Sequence, residues 1–585
     1  MAEVVNVKVN GIACQVPAGS NVLDAARAAG VRVPTLCYLR DINEIGACRI
    51  CVVEVKGAKA LVPACVYPVN EGMEINTNTP KVQEARKTTI ELLLSNHNRK
   101  CLTCLRSQNC ELQRLSKDYG LDDPKAYEGS KTPSTPDYSA IHLIRDNSKC
   151  VLCRRCVGAC TNLQKVAVIG ANGRGFDTHI GSAFELGLGE VACISCGQCI
   201  TVCPTGALTE KDETEKVFKA IADPEMHVVV QTAPSVRVAL GEEFGNPIGT
   251  IVTGKMVAAL RRLGFDKVFD TNFGADLTIM EEAHEFISRF TANKNLPMIT
   301  SCSPGWVNFC EHYYPEFIPN LSTCKSPQGM FGASVRTFYS KIMNIPPEKI
   351  FIVAAMPCTA KKYEARRMDH TAVPGLPDID AVLTVREVAR MIRKSGIVFN
   401  ELPDEEFDAP FGLASGAGTI FGATGGVMEA ALRTACESLT GEPLKKIDFD
   451  DVRGTEGIKE ATYVVAGHTV RVAVASGLVN ASKLLDMVKS GEKQVDFIEI
   501  MACPGGCVNG GGQPIHSGDV RNYTDIRAVR AASLYEDDRN LPHRKSHENP
   551  DIKRIYAEYF GEPNSHLAHE VLHTGYTPKT KYQPT

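Results

Sequence analysis

The sequence predicts a chain of several domains: an α/β domain in the C-terminal half, preceded by small, cysteine-rich α+β domains. Three observations predict it. A chain of 585 residues is too long for a single hydrophobic core. Cysteines are dense up to Cys203 and thin out from about Val217. From there, short apolar strands such as 227–231 and 350–354 alternate with helical stretches such as 255–263 and 277–291. Finally, two cysteine runs 43 residues apart, Cys150-x2-Cys153-x2-Cys156-x3-Cys160 and Cys193-x2-Cys196-x2-Cys199-x3-Cys203, form an internal repeat.

Composition narrows the class. Apolar content of 44% and charged content of 23% are those of a soluble globular protein. The net charge of −4 and the absence of a basic stripe argue against nucleic acid as the main partner. No apolar run approaches the roughly 20 residues of a membrane span. The opening MAEVVNVKVNG has no basic n-region, apolar h-region or twin arginine, so a cytoplasmic location is expected. Twenty-three cysteines in a large chain of this kind indicate metal rather than disulfides.

In order along the chain, VNVKVNG alternates as a strand and 21–30 reads as a helix capped by Asn21 or Ser20. Cys37, Cys48, Cys51 and Cys65 follow with the spacing C-x10-C-x2-C-x13-C. Clustered loop cysteines plus a distant one suit a plant-type [2Fe-2S] site, with zinc as the alternative. The glycine-bearing loop Gly46-Ala47-Cys48-Arg49 can offer backbone N–H groups to sulfide. An amphipathic helix at 81–95 leads into His97-x3-Cys101-x2-Cys104-x5-Cys110, where spacing alone fits either an iron–sulfur or a Cys3His zinc site. The polar, Pro/Ser-rich stretch 129–138 reads as a linker. The repeat has the bacterial two-cluster pattern, in which the fourth cysteine of each run serves the other cluster. Cys150, Cys153, Cys156 and Cys203 form one set; Cys193, Cys196, Cys199 and Cys160 form the second. Thr161 stands where the first run would ordinarily carry proline, as Pro204 does in the second.

The C-terminal half holds three short segments that bring four more cysteines toward one site. They are Thr300-Ser301-Cys302-Ser303-Pro304-Gly305-Trp306, Met356-Pro357-Cys358-Thr359-Ala360-Lys361-Lys362, and the stretch 501–514 with Cys503-Pro504-Gly505-Gly506-Cys507. Four soft thiolates suit iron–sulfur or zinc, and glycines let backbone approach a bulky inorganic group. Residues 249–256, GTIVTGKM, fall short of a phosphate loop because Met256 stands where a magnesium-binding hydroxyl is needed. Cys14, Cys310, Cys324 and Cys436 are left as packing residues. The tail from Leu534 is helical and amphipathic; its histidines, His543, His547, His566, His569 and His573, are expected to be solvated or packed rather than metal-bound.

The three segments resemble the signature motifs of the catalytic domain of [FeFe]-hydrogenases, and the resemblance runs from about Val4 to about Lys579. It implies an α/β catalytic domain bearing the H-cluster, a [4Fe-4S] cubane joined to a two-iron subsite with CO, CN and a bridging dithiolate. Ahead of it the resemblance implies α+β ferredoxin-type iron–sulfur domains: a β-grasp [2Fe-2S] domain at 1–79, a His/Cys3 [4Fe-4S] domain at 80–128 and a two-[4Fe-4S] ferredoxin domain at 140–212. The first two are similar to segments of the large iron–sulfur subunit of respiratory complex I. The catalytic domain would span 216–530, and 531–585 resembles the small subunit of two-chain enzymes, fused here.

By the same resemblance, Cys358 and Cys503 ligate the cubane alone and Cys507 bridges to the subsite. Lys361 would donate to one cyanide, Pro234 and Ser235 would contact the other, Met356 and Met501 would flank the subsite, and Gln328 and Phe421 would line it. The family's first motif often reads TSCCPGW, the second cysteine being a ligand and the first the last proton relay. This chain has Ser303 second. Cubanes prefer thiolate to alkoxide, so Cys302 is expected as the fourth ligand; if Ser303 ligates instead, Cys302 remains the relay. Glu282, Ser322 and Glu285 match the rest of the proton path, although glutamates at i, i+3 also suit a solvated helix face.

The implied function is reversible H2 oxidation, with electrons relayed to partner subunits carrying flavin and NAD(P), to small [2Fe-2S] subunits and, in some such complexes, to ferredoxin. A hydrogen-sensing or electron-transfer subunit and an iron–sulfur assembly scaffold are the alternatives.

Overall fold

The structure, a computed structural model, describes residues 3–121, 127, 129–368, 371–444, 446–455, 457–465 and 467–581. The end of the expected His/Cys segment, 122–126 and 128, and the last tail residues, 582–585, lie outside the described residues. Among the described residues no helix is long and apolar enough to cross a membrane.

The N-terminal unit is a five-stranded sheet in the order Ile12–Pro17, Val4–Val9, Met73–Asn76, Val52–Val55, Val62–Pro63. Val7 and Val9 point into its core, as the alternation requires. A helix at Val22–Ala28 covers the sheet; Asn21 caps it by accepting the Asp24 N–H at 3.0 Å. The next helix, Pro80–Asn96, is capped by Thr79 and opens on proline, whose missing N–H costs nothing there. Residues 129–138 form no helix or strand beyond a bridge at Asp137. In the repeat, strand Leu143–Arg145 pairs antiparallel with Leu208–Glu210, joining the start of the first cysteine run to the end of the second.

Two sheets build the C-terminal half. In the first, β1 (His227–Thr232), β2 (Lys267–Asp270), β4 (Ile350–Met356) and β5 (Ala381–Thr384) run parallel in the order β2-β1-β4-β5. The second has the order β3 (Met298–Ile299), β8 (Phe497–Met501), β7 (His468–Ser476), β6 (Ile458–Val465), with only the β6–β7 pair antiparallel. The Val/Ile-rich parallel strands are buried on both faces, which explains their unbroken apolar runs.

Helix α1 (Thr253–Leu263) contains Met256 as a buried core residue, in keeping with an ordinary helix start. Helix α2 (Thr271–Thr291) begins directly off β2, six residues before the apolar pattern suggests, because Asp270 caps it through the Asn272 N–H at 3.0 Å. Helix α3 (Pro304–Tyr313) follows the first signature segment. The tail opens with α4 (Ile526–Asn540), upstream of Leu534, because Asp525 accepts the Arg527 and Ala528 N–H groups. It ends with α5 (His566–Leu572) packed back onto the catalytic half.

Candidate active site and cluster sites

Each signature segment leaves the C-terminal end of a parallel strand. Cys302 follows β3, Cys358 follows β4, Cys503 follows β8, and Pro234 and Ser235 follow β1. The strand ends open a cleft of about 820 Å³, lined by Cys302, Ser303, Cys358, Cys503 and Cys507. Ligands bind at this edge of parallel sheets because the loops there are free to diverge. Pro234, Ser235, Gln328, Met356, Lys361, Phe421 and Met501 form the remaining wall. All the subsite residues expected from the sequence are therefore brought to one cavity.

The donors fit a buried metal cluster. Burial pushes the Cys507 thiol up to about 12, raises Cys358 and Cys503, and raises Cys302 well above the ordinary thiol range. Buried thiols ionise readily only against a cation, such as a metal core. Backbone closeness is built in: a Cβ on Gly510 would lie 2.2 Å from the Pro357 carbonyl, and Gly506 sits at φ +97° against the Thr424 amide. Ser235 Oγ and Gln328 Oε1 are buried and lack a hydrogen-bond partner among the described residues. So does Gln513 Oε1, whose amide nitrogen holds the Ser235 and Cys507 carbonyls at 3.1 Å. The sequence reading did not single out Gln513; only its place in the glycine-rich third segment marked it. Lys361 is buried, and its Nζ donates to Ser326 Oγ (2.6 Å), Glu364 Oε2 (2.9 Å) and the Cys302 carbonyl (3.3 Å).

Cys302 and Ser303 face different neighbours. Ser303 Oγ accepts the Ala502 N–H at 3.3 Å, one residue before Cys503. Cys302 belongs to the buried cluster that includes Ala275, Ile279, Phe421 and Met501, and after burial the charge that raises its thiol most is Glu282. Glu282 is fully buried on α2, with neither carboxyl oxygen partnered among the described residues; burial, then the charge of Glu285, pushes it up to about 8. Glu285 accepts Ser322 Oγ–H at 2.9 Å and Arg289 at 2.6 Å. The Cys324 thiol, expected as plain packing, faces Glu285 at 3.7 Å, whereas Cys310 only closes onto the Tyr314 carbonyl. Of the tail histidines, His566 and His569 are exposed, His547 bonds Glu437, and His573 is buried.

The N-terminal cysteines gather as their spacing suggests. Cys150, Cys153, Cys156 and Cys203 line one cavity and Cys160, Cys193, Cys196 and Cys199 another. Cys51 Sγ and Cys65 Sγ lie 3.3 Å apart. His97 is buried with Nδ1 unpartnered among the described residues, and burial lowers it to about 4, leaving a neutral ring fit to ligate. These sites are contiguous. Gln198 Nε2 reaches Cys503 Sγ at 3.3 Å, so the Cys196–Cys199 loop abuts the active cleft. Asn43 bonds the Cys37 and Cys153 carbonyls at 2.8 and 3.0 Å. Arg106 bonds the Cys203 carbonyl at 2.8 Å, which ties the His97 site to the same four-cysteine cavity.

Comparison with known proteins assigns these units. Residues 226–511 match the family described as iron only hydrogenase large subunit, C-terminal domain. The NADP-reducing hydrogenase subunit HndD of Solidesulfovibrio fructosivorans is 48% identical over 97% of this chain and 98% of its own length. The chain belongs to the [FeFe]-hydrogenase family. Iron hydrogenase 1 of Clostridium pasteurianum is 45% identical over 97% of this hydrogenase and 99% of its own length. A variant of [FeFe]-hydrogenase HydA1 from Chlamydomonas reinhardtii superposes with a TM-score of 0.57 at 44% identity, covering 63% of this chain and 99% of that one. The hydrogenase also matches a 2Fe-2S iron-sulfur cluster binding domain at 2–80 and the NADH-ubiquinone oxidoreductase-G iron-sulfur binding region at 86–125. A 4Fe-4S dicluster domain follows at 149–208, and an iron hydrogenase small subunit at 524–579. It is an iron hydrogenase whose catalytic domain is preceded by iron–sulfur domains.

Proposed function

We propose that this hydrogenase is the catalytic subunit of a multi-subunit, cytoplasmic NAD(P)-linked enzyme. It interconverts H2 with protons and electrons at an H-cluster and passes the electrons through one [2Fe-2S] and three [4Fe-4S] centres to partner subunits bearing flavin. The convergence of Cys358, Cys503, Cys507 and the Cys302–Ser303 turn on one apolar cleft, contiguous with a file of cysteine sites, supports this reading. The name of the HndD relative supports the NADP link. Ferredoxin is a candidate second acceptor.

When bound, the H-cluster supplies the metal that takes up and splits H2, chemistry no side chain offers. The protein holds, dries and wires it. Cys358, Cys503 and Cys507 would hold the cluster, with Cys507 at its two-iron end. Met356, Met501, Phe421 and Pro234 exclude water. Ser235 and Gln328 present unspent polar atoms, and Lys361 places a fixed cation beside anionic cyanides. Glu282, Ser322 and Glu285 move the proton.

Infrared bands of metal-bound CO and CN test the core of the reading: Cys507→Ala should abolish them in the matured protein, and their persistence would refute the assignment. Thiolate preference makes Cys302 the fourth cubane ligand. A second reading draws on Ser303 Oγ, which accepts the Ala502 N–H beside Cys503, and on Glu282, the charge that after burial raises the Cys302 thiol most. Iron content separates them. Cys302→Ala should lose the cubane and Ser303→Ala keep it; the reverse pattern makes Ser303 the ligand and Cys302 the proton relay.

A further inference from the structure

Glu285, the outermost carboxyl of the proposed proton path, is capped on one side by the Arg289 guanidinium. A guanidinium stays protonated at any working pH and cannot hand a proton on. On the other side Glu285 meets the C-terminal tail. Thr323 Oγ1 lies 3.0 Å from Glu285 Oε1 and 2.8 Å from His573 Nδ1. His573 Nε2 lies 3.1 Å from Glu281 Oε2. His569, one helical turn earlier and exposed, lies against His573 with ring centroids 4.0 Å apart and the rings tilted by 36°.

We propose that Thr323, His573 and His569 form the outlet of the proton path, so that the fused tail carries protons between Glu285 and solvent. The proposal rests on the path through Glu282, Ser322 and Glu285. The carboxylate of Glu281 fixes the proton on His573 Nε2 and leaves Nδ1 an acceptor. During H2 oxidation a protonated Glu285 gives its proton to Thr323 Oγ1 as the hydroxyl proton passes to Nδ1. The bonds broken are Glu285 O–H and Thr323 O–H; those formed are Thr323 O–H and His573 N–H. Glu281 then holds the imidazolium until the proton leaves past His569 to water, and proton reduction runs the same steps backward. The other titratable groups facing His573 are Cys324, which points at Glu285, and Tyr556, whose hydroxyl donates to Glu281. Neither titrates near neutrality, since burial raises both well above their ordinary ranges. Burial and the neighbouring His573 hold His569 below the usual imidazole range, which suits release at neutral pH.

The test uses matured holoenzyme with viologen as acceptor. His573→Gln keeps a polar side chain of similar reach, and His569→Gln alters only an exposed position. A positioned proton-transfer group is worth about 10² or more, and an outlet that solvent can partly replace is worth less. His573→Gln should therefore lower H2 oxidation about tenfold and remove the imidazole limb from the pH profile, and added imidazole should restore the rate. His569→Gln, at the exposed end, should lose less than His573→Gln. The infrared band of the protonated Glu285 carboxyl should persist longer after a pH jump in His573→Gln, a readout independent of turnover. A purely structural histidine would lower the thermal midpoint without moving the pH profile or responding to imidazole, and that result overturns the proposal. Glu285→Gln is the parallel control. If it loses activity while both histidine variants keep the parent rate and profile, the outlet is wrong and the inner path stands. If Glu285→Gln is also silent, the inner path itself fails.

Discussion

Glu282 sits fully buried on α2, between the cleft and Glu285, with no hydrogen bond to spend its charge on among the described residues. Burial and the nearby Glu285 push it up to about 8, whereas an unfolded glutamate titrates at about 4.3. The folded chain thus keeps a proton that the unfolded chain gives up. Its contribution to stability is greatest below the unfolded value and is lost as pH rises toward the folded one. Glu282→Gln should flatten the fall in anaerobic thermal midpoint across that window and slow turnover by about 10². A parent-like slope in the variant would assign the titration to another group. Residues of this kind divide in how readable they are. The cysteine runs up to Cys203 are legible because each is local, with successive ligands three to fourteen residues apart. Glu281–His573 is not, because 292 residues separate the partners and neither neighbourhood signals the other. Nothing near Cys324 in sequence marks it as more than packing, for the same reason: what makes it polar is a carboxyl 39 residues away.

The strands and their glycine loops set the geometry. Gly510 lies so close to Pro357 that a methyl group has nowhere to go, and the clash is with backbone rather than a movable side chain. Gly510→Ala should thus separate the Cys358 and Cys507 loops and lose H-cluster iron with the CO and CN bands. Gly170→Ala, with open space at its Cβ, should keep both. Retention of the bands in Gly510→Ala would show that the loops can slide apart without harm. The helix Gly416–Ile420 opens on Gly416-Ala417-Gly418, the run nearest to a dinucleotide-binding turn, with Phe421 where the third glycine would stand. Its glycines admit protein: Gly416 packs on Asp538 and Gly418 on Asn272, and Asp276 accepts the Ser415 N–H at its start. A phosphate there would meet carboxylates. Strand and helix existence was legible from apolar periodicity, whereas starts were misjudged where a cap decided them, at Asp270 and Asp525.

Across the whole molecule, the site at Cys150, Cys153, Cys156 and Cys203 touches both N-terminal units, the Cys37 loop through Asn43 and the His97 site through Arg106. The file of cysteines therefore has two outer ends and one inner end. Neither outer unit offers a nucleotide or flavin fingerprint, and one-electron centres cannot deliver hydride. The isolated, matured chain should accordingly reduce viologen with H2 and leave NAD and NADP untouched until partner subunits are added. Direct nucleotide reduction by the chain alone would contradict the multi-subunit assignment. The fused tail has its own bearing on how such a molecule is held together. Residues 572–574 pair with Thr323–Lys325, and the Lys579 N–H reaches the Glu311 carbonyl. The wall beside Glu285 is thus completed by a segment 250 residues further along the chain. The tail thus works as a clasp: that flank of the catalytic half is held shut by a stretch of chain distant in sequence.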